Sequence, residues 1–122
     1  MITRVKFVAI PITDQERALK FYTEKVGFTL RTDQASGEGM RWIELEPPGG
    51  ETRVVLFTAD SHRLLIGTPS NITFGTGDVQ RTYNEMKERG VEFTGPPTEQ
   101  PWGTFAQFRD PDGNSFILSS LD

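Results

Sequence analysis

The stretch Gln107-Phe108-Arg109-Asp110-Pro111-Asp112-Gly113-Asn114-Ser115-Phe116-Ile117-Leu118 sets two alternating apolar runs on either side of Asp-Pro-Asp-Gly-Asn. Pro111 presets φ at about −65°, Asp and Asn side chains hydrogen-bond nearby backbone, and Gly113 tolerates positive φ because it has no Cβ. The pattern predicts a hairpin with Ala106, Phe108, Phe116 and Leu118 on one face. The other face takes Phe105, Gln107, Ser115, Ile117 and Ser119. The first set suits a core, so the second set, with Ile117 at its middle, is the one that bears on function.

Around this hairpin the chain has 122 residues, enough to bury roughly two-thirds of its unfolded surface without a disulfide or structural metal. It has no cysteine, which removes disulfides, thiolate metal sites and a cysteine nucleophile. A net charge of −4 with scattered Lys and Arg argues against a nucleic-acid partner. The N-terminus lacks the long apolar region of a signal peptide, and no run approaches the ~20 apolar residues of a membrane span. The expectation is a cytoplasmic protein with no membrane partner.

Upstream of the hairpin, strand and helix patterns occur twice. Residues 4–13 alternate as a strand, with Val8, Ile10 and Ile12 opposite Phe7, Ala9 and Pro11. Asp14 then caps a helix expected over 15–25, which Gly27 ends. Strands are expected over 28–32, 40–45 and 52–58, with the polar, glycine-containing 33–39 as a loop. Residues 60–70 show no clear period and read as a linker or a loop. A strand over 71–77, the Asp78 cap, a helix over 79–89, Gly90, a short strand over 91–94 and the hairpin complete the chain. Each half reads β-α-β-β-β, and Asp14/Asp78, Leu19/Tyr83, Tyr22/Met86 and Phe7/Asn71 all stand 64 positions apart. The predicted class is α+β, with modules at 1–59 and 71–122 and a linker at 60–70, together one domain. One half alone leaves a sheet face exposed, so the two are expected to complete a common, curved structure.

Asp14 through Phe21-Tyr22 to Val26-Gly27-Phe28, then Asp78 to Gly90, then Pro101-Trp102-Gly103 and Asp110-Pro111-Asp112-Gly113-Asn114, resemble the vicinal oxygen chelate superfamily. That superfamily holds glyoxalase I, bleomycin resistance proteins and extradiol dioxygenases. The resemblance covers nearly the whole chain and implies paired βαβββ modules forming a curved mixed sheet around a cleft. It also implies helices on the outer face and a homodimer. Its metal-using members hold a divalent ion with four inward-facing His or Glu residues, two from each module. Carried onto this sequence, those positions are Phe7, about Val55, Asn71 and Ile117. Only Asn71 has a donor atom, and an amide alone is a poor ligand, so no metal cofactor is expected. His62, the one histidine, reads as a loop residue, and Glu44, Glu46 and Glu51 as carboxylates on strand faces or turns.

Strand alternation assigns a candidate ligand face to Phe7, Trp42, Glu44, Arg53, Val55, Phe57, Asn71, Phe105, Gln107 and Ile117, with Trp102 at its mouth. Two readings of this face stand open: an aromatic-lined pocket for a small organic molecule, or side chains that fill a former metal site as a second core. A slip of one residue in the third strand turns Trp42 to the helix side instead. Three functions follow from these readings. The first is a metal-independent small-molecule binder of the bleomycin-resistance kind. The second is an enzyme, either a lyase or dioxygenase with a displaced metal or a metal-free proton-transfer catalyst with Glu44 as base, and the third a non-catalytic partner subunit.

Overall fold

Asp14 and Asp78 each hold the first turn of a helix. The Asp14 carboxylate accepts from the Arg17 amide at 3.1 Å, and that of Asp78 from the Arg81 amide at 3.0 Å, so each satisfies one amide that the helix itself leaves unpaired. A computed structural model describes residues 1–35, 37, 39–58 and 60–121, with residues 60–62 through their backbone only. The chain divides into two compact units, Met1–Ile66 and Gly67–Asp122.

The first unit runs β1 (Phe7–Pro11), α1 (Gln15–Lys20), β2 (Thr29–Ala35), β3 (Arg41–Glu46) and β4 (Arg53–Phe57). Its sheet has the order β1-β4-β3-β2, with β1 parallel to β4 and the other pairs antiparallel. Ala18, Phe21 and Tyr22 of the helical segment are buried, as are Ile10, Ile43, Leu45, Val54 and Leu56 of the sheet. Gln15 fixes the helix start to the strands, its amide donating to the carbonyls of Arg41 (2.6 Å) and Leu56 (3.2 Å).

The second unit runs β5 (Pro69–Thr76), α2 (Val79–Glu88), β6 (Glu92–Phe93), β7 (Thr98–Gln100), β8 (Gly103–Arg109) and β9 (Ser115–Ser120). Its order is β5-β9-β8-β6, with β7 an extra strand on β8 and β5 parallel to β9. This is the order of the first sheet, strand for strand. Ala9 pairs with Val55 across β1 and β4, and Thr73 pairs with Ile117 across β5 and β9. Phe7 and Asn71 therefore each stand two residues upstream of the partner of Val55 or Ile117. The duplication extends to this rung of the ladder, although in the second sheet the register shifts between Pro69 and Thr73. Val79, Tyr83 and Met86 bury the inner side of α2, with Phe108 and Phe116 fully buried in the sheet. Each buried phenylalanine of this kind contributes about 2–3 kcal/mol.

The hairpin has the expected faces: Ala106 pairs with Leu118 and Phe108 with Phe116, while Phe105 pairs with Ser119 and Gln107 with Ile117. Its turn is knotted by Asp110, whose carboxylate accepts from the amides of Asp112 (3.0 Å) and Asn114 (2.9 Å) and from the Asn114 side chain (2.9 Å). Asn114 in turn accepts from the Gly67 amide at 2.9 Å, tying the turn to the start of the unit. Gly113 has φ 83° and Gly67 φ 81°, conformations that L side chains rarely adopt.

Four expectations differ from the structure. The first helix turns π-helical over Phe21–Val26, where the Gly27 amide reaches back to the Tyr22 carbonyl and the Thr23 hydroxyl takes that of Leu19. Residues 33–35, expected in a loop, belong to β2, because Arg41 holds the Asp33 carboxylate with two bonds of 3.0 and 2.6 Å. Arg41 also reaches Glu16 at 2.8 Å, and its bonds hold the Asp33 pKa below the usual carboxylate value. The segment 60–70 contains a 3-10 helix over Asp60–Leu65, and β5 begins at Pro69 rather than Asn71. Finally, β7 adds a strand that the β-α-β-β-β reading of the second half did not contain.

Replacing Asp110 by Ala strands three donors in a buried turn. At about 1–3 kcal/mol for each group left unpaired, with water recovering some of them, we expect urea unfolding to show a loss of about 2–4 kcal/mol. A loss below about 0.5 kcal/mol contradicts the role given to this turn.

Candidate functional site

In the first unit, Ile43 and Leu45 of β3 are fully buried with the helix-side core, which sends Trp42 and Glu44 to the opposite face. The same alternation places Phe7 and Ala9 of β1 and Arg53, Val55 and Phe57 of β4 there. Phe7 pairs with Arg53, Ala9 with Val55, Pro11 with Phe57 and Glu44 with Val55. The register thus settles the orientation of Trp42: it faces away from the helix.

Four of these side chains form one connected group. The Trp42 indole Nε1 donates to Glu44 Oε2 at 2.6 Å, and Arg53 Nη1 donates to Glu44 Oε1 at 2.7 Å. The Trp42 and Phe7 rings meet edge to face, with centroids 5.6 Å apart and planes at 79°. β1 and β3 flank β4, so these rings touch by closing over β4, and Val55 beneath them is 0% exposed. Phe7 itself is 37% exposed. Val55 is thus filled core, whereas Phe7 and the Arg53 guanidinium, with a side chain 39% exposed, are presented to the surroundings. Phe57 is half-buried.

Both oxygens of Glu44 are occupied, and the bond from Trp42, followed by that from Arg53, lowers its pKa below the ordinary glutamate value. A carboxylate so held is a fixed negative charge and a poor proton acceptor. Arg53 spends one N–H of its guanidinium on Glu44 and makes no other side-chain hydrogen bond among the described residues. The other guanidinium N–H groups are donors on a side chain that is 39% exposed.

The second unit presents its own helix-free face. Thr73, Ile117 and Gln107 form one row across β5, β9 and β8, and Gly75, Ser119 and Phe105 the next. Phe105, Gln107 and Ile117 are half-buried, and the Gln107 side chain makes no hydrogen bond among the described residues. Asn71 is exposed, in the part of β5 where the pairing register shifts between Pro69 and Thr73. Trp102 stands on the turn between β7 and β8 and is 74% exposed. The sequence-predicted residues therefore fall into two groups, one on each unit. Phe7, Trp42, Glu44 and Arg53 are linked in one chain of contacts, whereas Phe105, Gln107 and Ile117 share a face without a polar network among the described residues.

The sequence reading treated Glu44 as a lone base and missed that Trp42 and Arg53 both donate to it. The available signal was the two-residue spacing of Trp42 and Glu44, which puts both on one face of one strand.

The four residues that the resemblance implies at the metal positions do not fit a divalent ion. Phe7, Val55 and Ile117 carry no lone pair, and Asn71 offers one neutral oxygen, against the three protein ligands of a typical catalytic zinc site. Among the described residues, no group of three or more His, Cys, Asp or Glu side chains is placed to hold a metal. The His62 side chain lies outside the described residues. No helix among the described residues is long and apolar enough to cross a membrane.

Comparison with known proteins agrees with this architecture. The chain is 42% identical to YetH of Bacillus subtilis (strain 168) over 118 residues, covering 97% of this chain and 98% of that protein. It superposes with a TM-score of 0.88 on a glyoxalase/bleomycin resistance protein/dioxygenase superfamily member from Sphaerobacter thermophilus DSM 20745. That structure is 36% identical, with 98% of each chain covered. It superposes equally, at 0.88, on TnmS3, an antibiotic binding protein from Streptomyces sp. CB03234, with 37% identity over 99% of this chain and 98% of that one. Residues 4–118 match the profile of one family, and the chain belongs to it: the Glyoxalase/Bleomycin resistance protein/Dioxygenase superfamily.

Proposed function

We propose that this chain is a metal-independent small-molecule binding protein. It takes an organic ligand on the helix-free face of the first unit, against Phe7, Trp42 and Arg53, with Glu44 behind them. The observation that carries this reading is the fixed orientation of Trp42. Its indole N–H is spent on Glu44 and its ring meets that of Phe7 in a T-shaped contact, so an aromatic wall stands ready without further ordering. A preorganised aromatic surface beside a half-exposed guanidinium is suited to recognition. The 37% identity to an antibiotic binding protein supports the same reading.

Proton-transfer chemistry through Glu44 is the weaker alternative. A general base must be free to accept a proton near the working pH, and here both oxygens already accept strong hydrogen bonds that favour the ionised form. The unsuitability of Phe7, Val55, Asn71 and Ile117 as ligands supports binding without a metal.

The test is a small-molecule screen by thermal shift on protein dialysed against chelator. A ligand of the folded state at a hundredfold excess over its Kd stabilises by about 2.7 kcal/mol. We expect at least one organic compound to do so with no metal added, and Trp42→Ala to weaken it by about tenfold or more. Binding that returns only on adding zinc, nickel, manganese or iron contradicts the proposal, as does binding indifferent to Trp42.

A homodimer is part of the same reading. β1 and β2 are the edge strands of the first sheet, and unpaired edges are commonly covered by association. Light scattering across a concentration series is expected to give twice the 13.7 kDa of one chain; a constant mass of one chain refutes it.

A further inference from the structure

We infer that Glu44 sets the charge selectivity of the first unit's ligand face, so that the face takes uncharged planar molecules bearing a carbonyl oxygen and discriminates against anions. This rests on the binding role proposed above and adds the class of ligand.

Arg53 is the one guanidinium of this group, and an arginine beside an aromatic wall ordinarily invites a carboxylate or phosphate. Here that invitation is cancelled from within. Glu44 Oε1 lies 2.7 Å from Arg53 Nη1, and the Glu44 side chain is only 15% exposed, so its charge is screened less than a surface carboxylate. An anion approaching the free edge of Arg53 meets a neutral pair with a fixed negative charge behind it. A carbonyl oxygen meets the same unspent N–H donors and no such repulsion. Lys6 also lies near enough to favour the ionised form of Glu44, but it is exposed and solvent screens it.

Glu46 does not alter this balance, because Arg31 holds it with bonds of 3.2 and 3.1 Å farther along β3. The second bond to Glu44, from Trp42, makes the carboxylate a positioning residue as well: it orients the ring on which a planar molecule would lie. Charge and shape selection then meet in one side chain.

The proposal predicts opposite effects of one substitution on two ligands of the same shape. The probes are 2-acetylnaphthalene, neutral with a carbonyl, and 2-naphthoate, its anionic counterpart, titrated by calorimetry into the intact protein at low salt. The wild-type protein is expected to bind the neutral probe more tightly. Glu44→Gln keeps the size of the side chain and removes its charge. It should strengthen 2-naphthoate by about tenfold, the effect of one charge several ångströms away in a half-exposed site. It should weaken 2-acetylnaphthalene, because the Trp42 ring loses the charged acceptor that orients it. A merely structural role for Glu44 would move both affinities in the same direction, and that result overturns the proposal. So does a wild-type preference for 2-naphthoate.

Arg53→Gln supplies a second reading should Glu44→Gln fail to fold. With Glu44 left uncompensated, 2-naphthoate should lose more affinity than 2-acetylnaphthalene, and equal losses count against the proposal. If neither probe binds the wild-type protein saturably, it is the small-molecule reading itself that falls.

Discussion

Ile43 and Leu45 are buried on the helix side of the first sheet, and because a strand alternates, that burial commits Trp42 and Glu44 to the other face. The remaining geometry follows from this constraint and the β3–β4 register. Glu44 opposite Val55 stands diagonally from Arg53, close enough for a 2.7 Å ion pair, while Trp42 two residues back reaches the second oxygen of the same carboxylate. A slip of one residue would bury a carboxylate and an indole under α1 and expose two aliphatic side chains. The hydrophobic core thus specifies the polar group without touching it.

The duplicated ladder repeats one scaffold in the two units, whatever side chains stand on its helix-free faces. Ala9 with Val55, and Thr73 with Ile117, occupy the same rung of a parallel strand pair in each unit, although β5 shifts register just before it, between Pro69 and Thr73, where Asn71 stands. Those positions are defined by backbone register, which the core and the caps at Asp14 and Asp78 maintain whatever side chains stand there. Phe7 and Val55 set apolar side chains on the first unit's helix-free face: Val55 is buried, and the Phe7 ring meets that of Trp42 above it.

What was legible in the sequence was local. The faces of the hairpin, both aspartate caps and the glycine stops depend on residues within a few positions of one another, and all appear in the structure. What was not legible depended on distant partners. Asp33 joins a strand because Arg41, eight residues away, binds it in two places, and a polar stretch with two nearby glycines gave no sign of that. The π-helical turn at Phe21–Val26 arises from hydrogen-bond choices that leave no mark in apolar spacing. Glu44 was visible as a carboxylate on the candidate face, but its character as a fixed countercharge required two partners, one of them nine residues along the chain.

The central claim is that the face bearing Phe7, Trp42, Glu44 and Arg53 is where a ligand is taken. The Trp42 indole N–H resonance reports on it directly, since that proton lies in the bond to Glu44 at the centre of the group. In a titration of the labelled protein with a screened ligand, the account predicts saturable shifts of that resonance and of the Arg53 side-chain N–H groups. The amides of α1 should stay in place. Saturable binding that leaves the Trp42 indole unmoved while shifting resonances elsewhere would contradict it.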